Sequence, residues 1–413
     1  MARGKKATKR RKATRPRRKS HAGRAKASPK KRVVRQAAPA VKRLPVKKAA
    51  GKRAPVAAPA QPPPKKDEPL SAKDLGILRA LARSLADIGN LPVQKERAEL
   101  WRRLNRLERV RPMILLQNGT WHETGDVIKL KCEGEWARGQ EWGLRASLYQ
   151  WDTVADDLVY DNVAYSPIVT RNPGWGIAVD ATRPDHQFGA CHYNAVLKGD
   201  EDPEEMIKLP TITVDETETD RIYQKMNRIY DGIMPVRKRG VAWSWFAVMD
   251  LFIQWRGLDN TFLDMVDRPE WVHAWMNRMT EWVMEEWDQY ERMGLLSLNN
   301  GSCGSVGVGP GGLGITDQLP ARDFDGTHVR RCDLWGHATT QIFSEVSPAM
   351  HDEFSLAYES KFLSRFGLAG YGCCEPLHLK VDLIHKRIPN LRRLSMSPWV
   401  NVAVGAAAMG NKL

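Results

Sequence analysis

The chain contains the run Leu368-Ala-Gly-Tyr-Gly-Cys-Cys-Glu-Pro-Leu-His378, in which small residues lead into two adjacent thiols, a carboxylate, a proline and a histidine. Proline suits the first turn of a helix, where its missing N–H costs nothing, and apolar residues follow it at near-helical spacing. The run therefore predicts a strand, a tight turn and a helix that starts at Pro376. Cys373, Cys374 and Glu375 then lie at the carboxyl end of the strand, which carries the chemistry in α/β sheets and barrels.

Thiolate, carboxylate and imidazole groups are the ligand types that hold zinc. The alternative is a pair of buried cysteines that pack as small apolar side chains, but a vicinal pair followed at once by Glu375 and His378 favours a site. The predicted metal ligands are Cys373, Cys374 and His378, and the predicted catalytic residues are Cys374, Glu375 and His378. Because adjacent strand residues point to opposite faces, both thiols can bind one metal only if the turn breaks the strand between them.

Seven strand-like runs alternate with helical runs after Ser71. The runs are residues 111–117, 157–165, 240–246, 295–299, 335–343, 368–374 and 391–397. Alternation of this kind indicates parallel βαβ units. Because a closed barrel needs eight strands, we expect residues 67–413 to form an α/β domain of the TIM-type (β/α)8 barrel class that lacks its last βα unit, and we expect the chain to be a fragment.

Polar side chains occur at or near these strands, in the loops at their carboxyl ends. They are Asn118, Asn299, Asn300, His337 and Gln341. A parallel barrel builds its site from such loops. We therefore predict that these five residues bind a small-molecule substrate in a pocket shared with the thiols.

Residues 1–66 contain 25 Lys/Arg, no Asp or Glu and no aromatic residue. Such a segment cannot bury enough apolar surface to offset its ordering entropy, so we expect a disordered tail. The remaining chain keeps 39 Lys/Arg against 48 Asp/Glu, so the tail alone makes the protein basic. A solvated, multivalent cation of this kind binds nucleic acid or another polyanion without sequence preference.

The chain has six cysteines among its 413 residues, which does not resemble a disulfide framework and fits a reducing compartment. No window approaches the ~18 continuous apolar residues of a membrane span. We therefore expect a cytoplasmic protein without a membrane partner.

Several motifs resemble the uroporphyrinogen decarboxylase-like family. They are Arg111-Pro112, Trp335-Gly-His337, Ser347-Pro-Ala-Met-His351, Tyr371-Gly-Cys-Cys-Glu-Pro-Leu-His378 and Ser397-Pro-Trp399. The resemblance covers roughly Leu70 to the C-terminus. It implies a (β/α)8 barrel with its site at the carboxyl ends of the strands. It also implies one of two activities, because the family includes cobamide-dependent methyltransferases beside the decarboxylases.

Departures from the family pattern separate these activities. The decarboxylases carry arginines after the first strand that hold substrate carboxylates, whereas Leu116-Gln-Asn-Gly-Thr-Trp-His122 has none. The methyltransferases place a His-x-Cys zinc pair at the end of the sixth strand, and aligning Cys374 with that cysteine puts Gly372 at the histidine position. Cys373, Glu375 or His378 must then substitute. In the family, zinc binds a thiol substrate as the thiolate.

The favoured function is therefore a zinc-dependent methyltransferase that activates a thiol acceptor and receives the methyl group from a corrinoid, or a related donor, with a corrinoid protein as partner. Two alternatives stay open. One is a decarboxylase of a small carboxylated substrate, and the other is a non-catalytic, truncated barrel with a polyanion-binding tail.

The tail generates a direct test. Deletion of residues 1–66 removes 25 positive charges and should abolish retention of the protein on an immobilised polyanion at low salt, because counterion release drives such binding. Unchanged retention of the shortened chain on a heparin column would show that the tail is not the cause.

Overall fold

The computed structural model describes residues 69–116, 127–182, 191–302 and 311–410. The predicted tail, residues 1–66, lies outside this part of the chain. Within the described residues the helices are α1 (Ala72–Gly89), α2 (Pro92–Asn105), α3 (Glu135–Thr153), α4 (Pro203–Met206), α5 (Glu216–Tyr230), α6 (Val248–Arg256), α7 (Leu258–Asp267), α8 (Pro269–Arg292), α9 (Pro348–His351), α10 (Ala357–Leu363), α11 (Val381–Arg387) and α12 (Val402–Met409). None of these helices is long and apolar enough to cross a membrane.

The strands of the same residues are short. They are β1 (Ala164–Pro167), β2 (Thr170–Arg171), β3 (Asp180–Thr182), β4 (His192–Asn194), β5 (Thr213–Val214), β6 (Val236–Arg239), β7 (Trp335–Ala338), β8 (Leu368–Tyr371) and β9 (Leu391–Leu394). β2 pairs with β5 and β3 pairs with β4, both antiparallel. These two small antiparallel pairs lie between β1 and α6 in the sequence.

The other strand pairs are parallel. β1 pairs with β6, and β7, β8 and β9 form a three-stranded sheet in chain order. Single parallel bridges join Val241 to Leu296 and Phe246 to Ala338. Parallel pairing between consecutive segments is the arrangement that a barrel requires, yet the described residues form no closed ring of strands. The (β/α)8 barrel therefore stays a prediction.

Two predicted strands are replaced by side-chain hydrogen bonds. The carboxylate of Asp157 accepts from the backbone N–H of Ile114 at 2.8 Å, and that of Asp156 accepts from Leu116 N–H at 3.2 Å. Because these side chains take up backbone donors that a ladder would use, residues 111–116 and 157–163 form no regular strand. The predicted strand at 157–165 is reduced to its last residues, where β1 begins.

Asn299 performs a similar substitution at the predicted fourth strand. Its Nδ2 donates to the carbonyl oxygens of Ala242 and Trp335, both at 3.0 Å, and its Oδ1 accepts from Trp335 N–H at 2.9 Å. One buried side-chain amide thus joins residues 295–299 to Trp335 of β7 and to Ala242, which follows β6. Residues 295–299 are consequently fixed by this side chain and by a single backbone bridge, between Leu296 and Val241.

The core is built around α8. Pro269 occupies its first turn and Gly294, with φ of +67°, follows its end. Trp275, Trp282 and Trp287 are buried against the parallel strands and the neighbouring helices. All three are therefore core residues. Burial of each such ring contributes about 1.5–3 kcal/mol.

Replacement of Asn299 with alanine should lower the free energy of unfolding by about 2–4 kcal/mol, because it leaves three buried backbone groups without their partners. Urea unfolding of the variant measures this. The exposed Asn277 on α8 provides the control, since Asn277→Ala removes an amide of the same size from the surface. Equal stabilities of the two variants would contradict the bridging role.

Candidate functional site

The turn after β8 brings the carboxyl ends of β7, β8 and β9 together. The parallel ladder continues past the strands, with Gly372 N–H donating to Ala338 O and Ser395 N–H donating to Tyr371 O, each at 2.9 Å. Gly372 has a φ of +91°, in the left-handed region that glycine tolerates. A Cβ at this position would lie 2.4 Å from Leu377 Cδ1, so the turn requires a glycine for its dihedral angle and for its close packing.

Glu375 fixes the turn from inside. Its carboxylate is fully buried and accepts from Cys373 N–H at 2.9 Å and from Thr339 Oγ1 at 3.0 Å. Ser397 Oγ donates to the backbone carbonyl of Glu375 at 3.3 Å. The residue predicted to act catalytically thus holds the ends of β7, β8 and β9 in register, which is a positioning role.

The two thiols lie at the outer side of this turn. The Sγ atoms of Cys373 and Cys374 are 3.4 Å apart, and Cys374 is exposed. Both thiols are free, because a disulfide requires about 2.05 Å between the sulfurs. Burial and the neighbouring Cys374 raise the pKa of Cys373 to about 12. Cys373 is therefore protonated at neutral pH, and an activating partner is needed before it can act as a thiolate.

His378 lies in the turn that precedes α11. The predicted helix from Pro376 begins only at Val381, because residues 376–380 form a turn in which Lys380 N–H donates to Leu377 O at 2.8 Å. The His378 Cβ lies 3.6 Å from where a Cβ on Gly405 of α12 would be. Among the described residues, no group of three or more His, Cys, Asp or Glu side chains is arranged to hold a metal, and the predicted three-ligand set stays a prediction.

The predicted substrate-binding residues have different surroundings. Asn118 lies outside the described residues, and both amide hydrogens of Asn299 are used between strands. Asn300 Nδ2 donates to Leu319 O at 2.6 Å. Gln341 lies beside Asp250, whose pKa burial raises to about 6 while hydrogen bonds from Ile342 and Gln341 oppose the rise.

His337 has the strongest features of a ligand-facing residue. It is buried on β7, and neither ring nitrogen has a hydrogen-bond partner within the described part of the chain. Its ring lies 5.0 Å from that of Trp245, centroid to centroid, and Trp245 stacks on the exposed Trp243. Burial lowers the pKa of His337 to about 4. The neutral imidazole therefore offers one unused donor and one unused acceptor next to an aromatic surface.

A buried chain of titratable groups lies behind β8, and sequence reasoning did not find it. Lys380 Nζ contacts His351 Nδ1 at 2.9 Å, His351 Nε2 contacts the Tyr371 hydroxyl at 2.7 Å, and that hydroxyl donates to Glu359 Oε2 at 2.7 Å. Thr340 Oγ1 donates to the other oxygen of Glu359 at 3.0 Å. His351 belongs to a motif quoted above, but no spacing in the sequence relates it to Lys380 or Glu359.

Burial shifts the pKa values along this chain. It raises the pKa of Glu359 to about 8 and lowers that of Lys380 to about 8. It also lowers the pKa of His351 to about 3, with the nearby Lys380 charge adding to the effect. Shifted titratable groups next to a strand end are typical of functional sites.

Comparison of the chain with protein-family models, with curated proteins and with solved structures finds no match. The assignment of this site therefore depends on its geometry and on the motifs in the sequence.

Glu359 generates a prediction about pH. Its raised pKa means that the folded chain binds this proton more tightly than the unfolded chain, so stability falls as the pH rises from about 4.5 to about 8. Glu359→Gln cannot ionise and should lose less stability over this window, by a few kcal/mol, about 1.4 per pKa unit. Urea unfolding across the window measures the slope.

The control for this experiment is Glu270→Gln, which alters an exposed carboxylate on α8. It should keep the wild-type slope. A Glu359→Gln profile that runs parallel to wild type would show that Glu359 titrates as an ordinary carboxylate.

Proposed function

We propose that this chain is a methyltransferase of the uroporphyrinogen decarboxylase-like family, in which Cys373 and Cys374 are two sulfur ligands of a zinc ion. The observation that carries the proposal is the distance of 3.4 Å between their Sγ atoms, at the carboxyl end of a parallel strand. Tetrahedral zinc with Zn–S bonds of about 2.3 Å requires sulfurs about 3.8 Å apart. A small rotation of the exposed Cys374 side chain covers the difference.

The proposal assigns the metal to the two sulfurs alone and does not include His378. The thiol pair provides two ligands, and His378 is not grouped with it, so positions remain for a substrate. When bound, zinc replaces thiol protons at neutral pH and holds a thiol acceptor as its thiolate.

The protein's own groups have separable roles in this proposal. Glu375 holds the Cys373 backbone in the turn, and Ser395 Oγ supports it by donating to Cys373 O at 2.7 Å. His337 donates one hydrogen bond to a substrate and accepts another, because its ring nitrogens are unused and its imidazole is neutral. Trp243 and Trp245 supply the adjoining aromatic wall.

The donor of the methyl group in this proposal is a corrinoid, presented by a corrinoid protein, and the acceptor is a small thiol. The family resemblance supports this part. A cytoplasmic location fits the proposal, because the described cysteines are all free thiols. The basic tail, residues 1–66, adds weak binding to nucleic acid or another polyanion.

The decarboxylase alternative has less support, because Leu116-Gln-Asn-Gly-Thr-Trp-His122 lacks the arginines that hold substrate carboxylates in the decarboxylases. Arg111, at the start of the first predicted strand, is held by the Asp157 carboxylate, with Nη1 at 2.8 Å and Nη2 at 2.5 Å from its two oxygens. This arginine is therefore engaged within the protein and is not positioned as a substrate clamp. The non-catalytic alternative differs from the proposal in one testable respect, because it predicts that the thiol pair does not bind a metal.

Metal analysis of the purified full chain tests the proposal. Wild type should carry about one zinc per chain, and Cys374→Ser and Cys373→Ser should each lose most of it, because two sulfurs hold the ion. His378→Ala should retain the zinc. In cobalt-loaded protein, the sulfur-to-cobalt absorption band should weaken in both serine variants.

Cys191→Ser is the matched control, since Cys191 is a free, half-buried thiol on another segment. It should keep both the metal and the absorption band. Full zinc content in Cys374→Ser would rule out the proposed ligand pair, and absence of zinc from wild type after reconstitution would favour the non-catalytic alternative.

A further inference from the structure

A cavity of about 340 Å³ separates the predicted first strand from β9. Its apolar wall includes Trp101, Met113 and Leu115, and its polar wall includes Asn105, Arg392 and Arg393. Small-molecule sites have this composition, with a mostly apolar lining and a few convergent polar groups. None of the residues assigned to the thiol site lines it, so the cavity is independent of the proposed function.

A β-bulge directs two adjacent arginines into this cavity. Along the β8–β9 pair, Ala369 is opposite Leu391 and Gly370 is opposite Arg393, which leaves Arg392 as an extra residue. Consecutive strand residues normally point to opposite faces, but a bulge re-aims the side chains next to it. Both guanidinium groups consequently reach the same residue, Asn105, on the cavity wall.

The acceptors of these two arginines are all neutral. Arg393 donates to Asn105 Oδ1 at 3.0 Å, to Gly311 O at 2.6 Å and to Leu313 O at 2.7 Å. Arg392 donates to Asn105 O and to the Gln318 side chain. The neighbouring Asp317 carboxylate is paired with Arg106. Within the described residues, neither Arg392 nor Arg393 has a carboxylate partner.

Two adjacent cations without an anion are an unfavourable arrangement. Burial and the Arg392 charge lower the pKa of Arg393, yet arginine keeps its proton at neutral pH. Both arginines are only half-buried, and the Arg393 guanidinium lies over the rings of Trp101 and Trp335, so an anion that enters the cavity from solvent would add the charge partner that the described residues lack. A carboxylate fits best, because it can accept two parallel hydrogen bonds from a guanidinium group.

We infer that this cavity binds a small monocarboxylate with an apolar body, its carboxylate between Arg392 and Arg393 and its hydrocarbon part against Trp101, Met113 and Leu115. The cavity volume suits a molecule of modest size. The central carbon of the Arg393 guanidinium lies over the ring of Trp101, 5.8 Å from the ring centroid. A ligand body that packs against the same ring would be aromatic or extended aliphatic.

Isothermal titration calorimetry with the full chain tests this inference. The probes are 4-phenylbutyrate and its neutral counterpart 4-phenylbutyramide, which share one apolar body. The acid should bind at least about tenfold more tightly than the amide, because only the acid neutralises the arginine pair. Arg392→Gln should weaken binding of the acid by about tenfold and leave binding of the amide unchanged.

Arg392 is the residue to change because Arg393 makes more structural contacts. Arg83→Gln, on the exposed face of α1, is the matched control and should bind the acid like wild type. All of these proteins keep the basic tail, so its contribution cancels when the binding of the acid is compared between a variant and wild type. A second measurement, thermal unfolding, should show that the acid stabilises wild type more than it stabilises Arg392→Gln.

Three results would overturn the inference. They are equal affinity for acid and amide, unchanged binding of the acid by Arg392→Gln, and the absence of binding for both 4-phenylbutyrate and the shorter hexanoate.

Discussion

The buried carboxylate of Glu375 is the constraint on which the site depends. A carboxylate without water must be hydrogen-bonded, because leaving it unpaired costs several kcal/mol. Glu375 meets this requirement by accepting from Cys373 N–H and Thr339 Oγ1, which ties the turn after β8 to the end of β7. The thiol pair consequently lies at the outer side of one defined turn. Gly372 permits this turn because glycine tolerates the positive φ that the turn requires.

Burial also shifts the pKa values of titratable groups around the turn. Asp250, Glu359 and Lys380 all have pKa values moved toward neutrality by loss of solvent. Natural sequences place such groups at sites of chemistry more often than in purely structural cores. The chain from Lys380 to Glu359 lies on the helix side of β8, whereas His337 lies beside Trp245. The region thus combines a buried polar network with a buried, neutral imidazole beside an aromatic pair.

The sequence predicts the larger elements of this fold well and its short contacts poorly. Helix α8 is visible from Pro269, Gly294 and the apolar spacing between them, because propensity and packing agree there. The strands are shorter than predicted, since Asp157 and Asn299 use side chains where a ladder would use the backbone. Helix α11 begins at Val381 and not at Pro376, because the chain turns before Val381. The bulge at Arg392 has no sequence signal, so the arginine-lined cavity could not have been predicted.

The most direct test of the central claim is X-ray absorption at the zinc edge of the reconstituted, full-length protein. The account predicts a first coordination shell containing two sulfur atoms at about 2.3 Å, contributed by Cys373 and Cys374, with lighter atoms completing the shell. A shell of nitrogen and oxygen alone, or a sulfur count that is unchanged in Cys374→Ser, would contradict it.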